Sequence, residues 1–161
     1  ACFVTGLTLI FFGMLGCISA QEKFRSEGTI VVVKDKPHTP ACLLQTDDGN
    51  FYRVSGTKAK GLLSLPGARV LLEGKLNPSS PYKGLVVSRY TILNIGGKRP
   101  IVGVLLREGR GFKLKTQDLK VLSLDFGRLR KGLPEAGTTL WVIGSVQGDT
   151  IVAERFGVLG E

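Results

Sequence analysis

Residues 28–93 and 101–159 read as one unit written twice, and this duplication constrains the fold more than any other feature of the chain. A shift of 70 places Leu44, Thr46, Asp48, Gly67, Val70, Leu72 and Gly74 on Leu114, Thr116, Asp118, Gly137, Leu140, Val142 and Gly144. A shift of 66 places Leu85, Val86, Arg89, Tyr90, Ile92 and Leu93 on Ile151, Val152, Arg155, Phe156, Val158 and Leu159. The change of shift puts a four-residue deletion where Asn77 to Lys83 becomes Gln147 to Asp149, a loss that a surface loop tolerates. The period is too long for a solenoid and suits two small domains. By surface-to-volume scaling units of this size are marginal alone, so the two copies are expected to pack together.

Glycine and valine are frequent, and no long stretch has helical periodicity, which makes the class all-β. In the first copy the strand-like runs are 28–34, 42–46, 51–54, 69–76 and 84–92, with one helical turn or a loop at 58–65. Asp47-Asp48-Gly49-Asn50 marks a hairpin, because glycine and its acidic neighbour accept the positive φ of tight turns. The second copy repeats the pattern at 101–107, 112–116, 119–124, 138–146 and 150–156, with a crossing segment at 127–136 and a linker at 95–100 before it. Five strands with an insertion between the third and fourth outline an OB-fold. Two tandem five-stranded OB-like barrels are therefore expected, with a two-sheet β-sandwich as the alternative. In pattern the chain resembles the OB-fold proteins that bacteria export, over residues 28–159, on Leu43-Leu44-Gln45-Thr46-Asp47-Asp48-Gly49 and the strand glycines Gly74 and Gly144. The resemblance implies a fold and names no activity.

From Cys2 to Ala20 no residue is charged, and Leu9 to Phe12 with Met14 and Leu15 form an apolar run. Residues 1–20 read as a secretory signal peptide, cut after Ile18-Ser19-Ala20, or as a membrane anchor. Met14-Leu15-Gly16-Cys17 resembles a lipoprotein box, which makes Cys17 a candidate for lipidation. A cut after Ala20 would leave Cys42 as the single cysteine, too few for a disulfide framework. Cys42 sits in an apolar run and is expected to be buried.

Catalytic chemistry has little to work with. His38, the only histidine, lies between prolines, and with Cys42 as its one metal-ligating neighbour it makes no metal site. Asp47 and Asp48 lack the alternating acidic pattern of a calcium loop, and no phosphate-binding loop appears. No cofactor and no enzymatic activity are expected.

The net charge is +9, a balance that favours anionic partners. Barrels of this kind bind on the face of their second and third strands, between the loops after strands one and four. In the second copy that region holds Arg107, Arg110, Lys113, Lys115 and Lys120, and the crossing segment adds Arg128, Arg130 and Lys131. In the first copy the corresponding loops hold Lys34, Lys36, Tyr82 and Lys83. The leading expectation is an exported, periplasmic or envelope-associated binding or scaffold protein, contacting an anionic glycan, a lipid surface or a protein. Membrane association would run through residues 1–20 or a lipid on Cys17. The alternatives are a tandem OB-fold single-stranded nucleic-acid binder and an accessory subunit of a membrane-associated assembly. Nucleic acid is the less favoured, since only Tyr82, Phe51 or Tyr52 offers a stacking platform.

Overall fold

The apolar positions shared by the two copies are the positions that fill two separate β-barrels. A computed structural model describes residues 23–36, 39–78, 83–129 and 131–160, without the side chains of residues 35, 36 and 39. The expected leader with Cys17, His38, Tyr82, Arg130 and the side chain of Lys36 lie outside the described residues.

The first barrel consists of β1 (Lys23–Lys36), β2 (Thr39–Thr46), β3 (Phe51–Ser55), a one-turn helix α1 (Ala59–Leu62), β4 (Arg69–Asn77) and β5 (Gly84–Asn94). The second consists of β6 (Ile101–Glu108), β7 (Gly111–Thr116), β8 (Val121–Asp125), β9 (Thr139–Gln147) and β10 (Thr150–Val158), with a 3-10 turn at Gly127–Leu129. The sheet order is β1-β2-β3-β5-β4 in the first and β10-β8-β7-β6-β9 in the second, and each closes on itself. Closure leaves no edge strand to cap. The third and fifth strands of each copy run parallel, in matching registers: Arg53 to Ser55 against Gly84 to Val86, and Ser123 to Asp125 against Thr150 to Val152. This is the OB arrangement, so the sandwich alternative is not realised.

Closure explains the main departure from the expected strand limits. β1 begins at Lys23, five residues before the expected start at Gly28, because its first half pairs with β4 from Lys23↔Lys75 to Thr29↔Arg69 while its second half pairs with β2. A strand long enough to serve two neighbours carries charged residues that local pattern reads as loop. The third strand of the second copy also starts later than expected. Leu119 instead occupies the preceding turn at φ 64°, where the first copy has Gly49 at φ 80°.

The cores superpose on the repeat. Leu44, Val70, Leu72 and Leu85 are fully buried in one barrel, and Leu114, Leu140, Val142 and Ile151 hold the same positions in the other. In both barrels the fourth and fifth strands are staggered by a bulge, which leaves Ser88 and Glu154 without a cross-strand partner. Gly74 and Gly144 lie beside these bulges, where an added Cβ would come within 2.2 Å of the Val86 carbonyl oxygen and 2.1 Å of the Val152 carbonyl oxygen. Only glycine permits so close an approach of the two backbones.

The barrels pack on one another through β9. Side chains alternate between the two faces of a strand, so Leu140 and Val142 point into their own barrel while Trp141 and Ile143 point out of it. All four are buried nonetheless, because Trp141, Ile143 and Leu159 join the core cluster of the first barrel. Trp141 lies over Gly157. α1 meets the end of the chain, where the Ser64 hydroxyl donates to the Val158 carbonyl at 3.3 Å.

Candidate functional site

Two of the five cations expected on the binding face of the second barrel are paired with carboxylates of their own hairpins. Along β7, Leu114 is buried, Phe112 packs on the core and forms an edge contact with Phe126 at 5.5 Å, and Lys113 and Lys115 alternate with them. Lys113 pairs with Glu108 on the preceding strand, and Lys120 pairs with Asp118 at 3.3 Å. The hollow on this face, about 230 Å3, is lined by Glu108, Phe112, Lys113, Ser123, Asp125 and Thr150 among others. Its described lining sets two carboxylates against one ammonium. Arg107 and Arg110 are exposed on the hairpin, Lys115 is exposed on β7, and Arg128 and Lys131 are exposed on the crossing segment, away from this hollow.

In the first barrel Lys34 is exposed on β1. Lys83 donates to the Asn50 side-chain oxygen at 2.6 Å and lies 5.7 Å from the Tyr52 ring centroid. Tyr52 also contacts Phe24, centroid to centroid at 4.7 Å. Its ring is thus engaged by Phe24 and Lys83, leaving Phe51, 48% exposed, as the open aromatic of the β2–β3 hairpin.

A second concavity exists only because the barrels are packed together. This cleft, of about 670 Å3, is lined by Lys58, Ser88, Arg89, Tyr90, Thr91 and Ile92 from the first barrel, Arg99 and Pro100 from the linker, and Val102, Gln117, Thr139, Leu159 and Gly160 beyond it. Its volume is within the ~300–1,000 Å3 that small-ligand sites occupy. Among the described residues, three cations line it and no carboxylate does. Lys58, Arg89 and Arg99 are exposed, and none of them makes an ion pair with a described residue. Glu73 is the cross-strand neighbour of Arg89, yet its carboxylate turns to Arg25 at 3.6 Å. Tyr90 is half-buried, and its hydroxyl is pushed up in pKa by that burial.

The bulge in β5 shapes this wall. An extra residue in one strand bends it and redirects the neighbouring side chains; here the extra residue is Ser88, whose hydroxyl donates to the Glu73 carbonyl at 3.1 Å, with Arg89 next to it. None of Lys58, Arg89 and Arg99 was among the residues expected from the sequence. Arg89 does recur at the repeat position of Arg155, but recurrence carries no information about an inter-barrel surface.

Cys42 is 3% exposed, and burial pushes its thiol up to about 11, the behaviour of a packed side chain and not of a nucleophile. Among the described residues no three His, Cys, Asp or Glu side chains gather to hold a metal ion. No helix among the described residues is long and apolar enough to cross a membrane. No protein-family model matches the chain, and no curated protein matches its sequence.

Proposed function

We propose that this chain is a non-enzymatic, exported binding protein of the bacterial envelope that seats an anionic ligand in the cleft between its two barrels. One observation carries the reading: a cleft of about 670 Å3 lined by Lys58, Arg89 and Arg99, with no carboxylate among the described lining residues. Cations that share a concavity without internal partners repel one another and gain most when an anion enters. Guanidinium groups suit this task, since their planar forks hold carboxylate, sulfate or phosphate by paired hydrogen bonds. The net charge of +9 adds a long-range attraction that raises the rate of encounter with such a ligand.

The test is titration calorimetry of the full chain with three polyanions: an acidic oligosaccharide, a single-stranded oligothymidylate and anionic phospholipid vesicles. Binding of at least one of them, weakening as salt rises and lost when Arg89 and Arg99 are both replaced by alanine, supports the proposal. Failure of all three at low salt overturns it. Fractionation of native cells with intact-mass measurement tests export separately, since an uncut chain in the cytoplasm would overturn that part.

A further inference from the structure

We infer that the ligand of the inter-barrel cleft is a short acidic oligosaccharide, a reading that rests on the anion seat proposed above and names its ligand class. Besides the cations, the cleft lining includes hydroxyl and amide residues: Thr91 on β5, Gln117 in the β7–β8 turn and Thr139 at the start of β9. A sugar ring presents hydroxyl groups around its circumference, and groups that both donate and accept hydrogen bonds pair with them. A chain that carries carboxylates along such rings offers partners to both the cations and the hydroxyl and amide groups of one lining.

The same wall disfavours nucleic acid. Base stacking on aromatic faces supplies about 1–3 kcal/mol per base in single-strand binders. Among the described residues the cleft offers one aromatic side chain, Tyr90, and that ring is half-buried against the first barrel's core. Phe51, the open ring of the first barrel, is not part of the cleft lining.

The duplication supplies an internal comparison. Ser88 and Glu154 occupy the same bulge position in the two copies, and each precedes an arginine. In the second barrel the bulge residue is a carboxylate, paired with Lys98. In the first it is a neutral hydroxyl, so the bulge adds no negative charge next to Arg89. Placing glutamate at 88 would copy the second barrel's arrangement into the first and set a negative charge in the proposed seat.

The experiment measures binding of a hexauronide, a neutral hexasaccharide and a hexathymidylate to the full chain by calorimetry, each at the same ionic strength. The hexauronide is expected to bind at least about tenfold more tightly than either competitor, the scale of one charge-assisted hydrogen bond gained or lost. Ser88→Glu and the double variant Arg89→Ala/Arg99→Ala should each weaken it by about tenfold or more. Arg107→Ala/Arg110→Ala, on the remote hairpin, should leave it within about twofold. Thermal unfolding of every variant checks that the barrels are intact, and Ser88→Thr serves as the neutral control for the bulge. Equal binding of the neutral sugar, or unchanged affinity in Ser88→Glu, overturns the inference. Tighter binding of the hexathymidylate, lost in Arg89→Ala/Arg99→Ala, overturns the sugar assignment while leaving the anion seat. No binding by any anion removes both.

Discussion

Replacing Trp141 by alanine should loosen the two barrels from one another. The indole is 8% exposed, faces away from its own barrel and packs with the first barrel's core. A buried aromatic of this size removes about 200 Å2 from water, which at about 25 cal/mol per Å2 stabilises by about 5 kcal/mol as an upper bound. Against this stands the indole N–H, which is buried without a partner among the described residues, a cost of about 1–3 kcal/mol. The net loss for Trp141→Ala is then about 2–4 kcal/mol, and the cavity left behind adds to it. Trp141→Phe separates the two contributions: it keeps most of the ring's burial and removes the orphan N–H, so its cost should fall below about 1 kcal/mol. Urea unfolding followed by far-ultraviolet circular dichroism reads both variants without relying on indole fluorescence. A loss under about 0.5 kcal/mol for Trp141→Ala, the range of an ordinary surface substitution, would refute the packing of the barrels through this face. A Trp141→Phe variant as unstable as Trp141→Ala would refute the unpaired N–H.

Leu119→Gly should stabilise the chain by about 1 kcal/mol, because it relieves a left-handed leucine; Leu119 is 74% exposed, so little burial is lost, and thermal unfolding should shift upward by a few degrees. Gly74→Ala should do the opposite, costing several kcal/mol or preventing folding, since its Cβ would lie 2.2 Å from the Val86 carbonyl oxygen; a melting temperature equal to the parent's would contradict the bulge geometry. The Asp48 carboxyl lies below the usual carboxylate range through hydrogen bonds from Thr46 and Asn50, and Asp118 through those from Thr116 and Lys120. A carboxyl lowered in the folded state contributes stability above its unfolded pKa of about 4, and that contribution is lost as pH falls through the folded value. Asp48→Asn/Asp118→Asn should therefore flatten the fall of melting temperature below about pH 4; an unchanged acid limb would refute the assignment. Cys42, with its thiol pushed up to about 11, should resist iodoacetamide at pH 8 in the folded chain and react on unfolding in urea; mass mapping of the Cys42 peptide checks this, and equal rates in both states would count against its burial.

The sequence by itself determined the strands, the turns and the duplication. These depend on short-range physics: apolar alternation fixes which side chains face inward, and Asp-Gly or its equivalent fixes where the chain reverses. Leu44 and Leu114, or Leu85 and Ile151, were legible as core because their repeat partners made the same choice. The expected basic face was legible from the lysines on β7, but the pairing of Lys113 with Glu108 was not, because it forms across a hairpin whose register had first to be fixed. Tertiary structure alone decided the rest. Lys23 to Glu27 became strand only because β4 lay beside them, and Trp141 and Ile143 became buried on the outer face of β9 only because the first barrel covered it. The cleft has the same origin: Lys58, Arg89 and Arg99 lie on a loop, a bulged strand and a linker, and no local pattern relates them. Two closed barrels must meet before those three charges share one solvent-filled space, and a property of that meeting is written in no single segment of the chain.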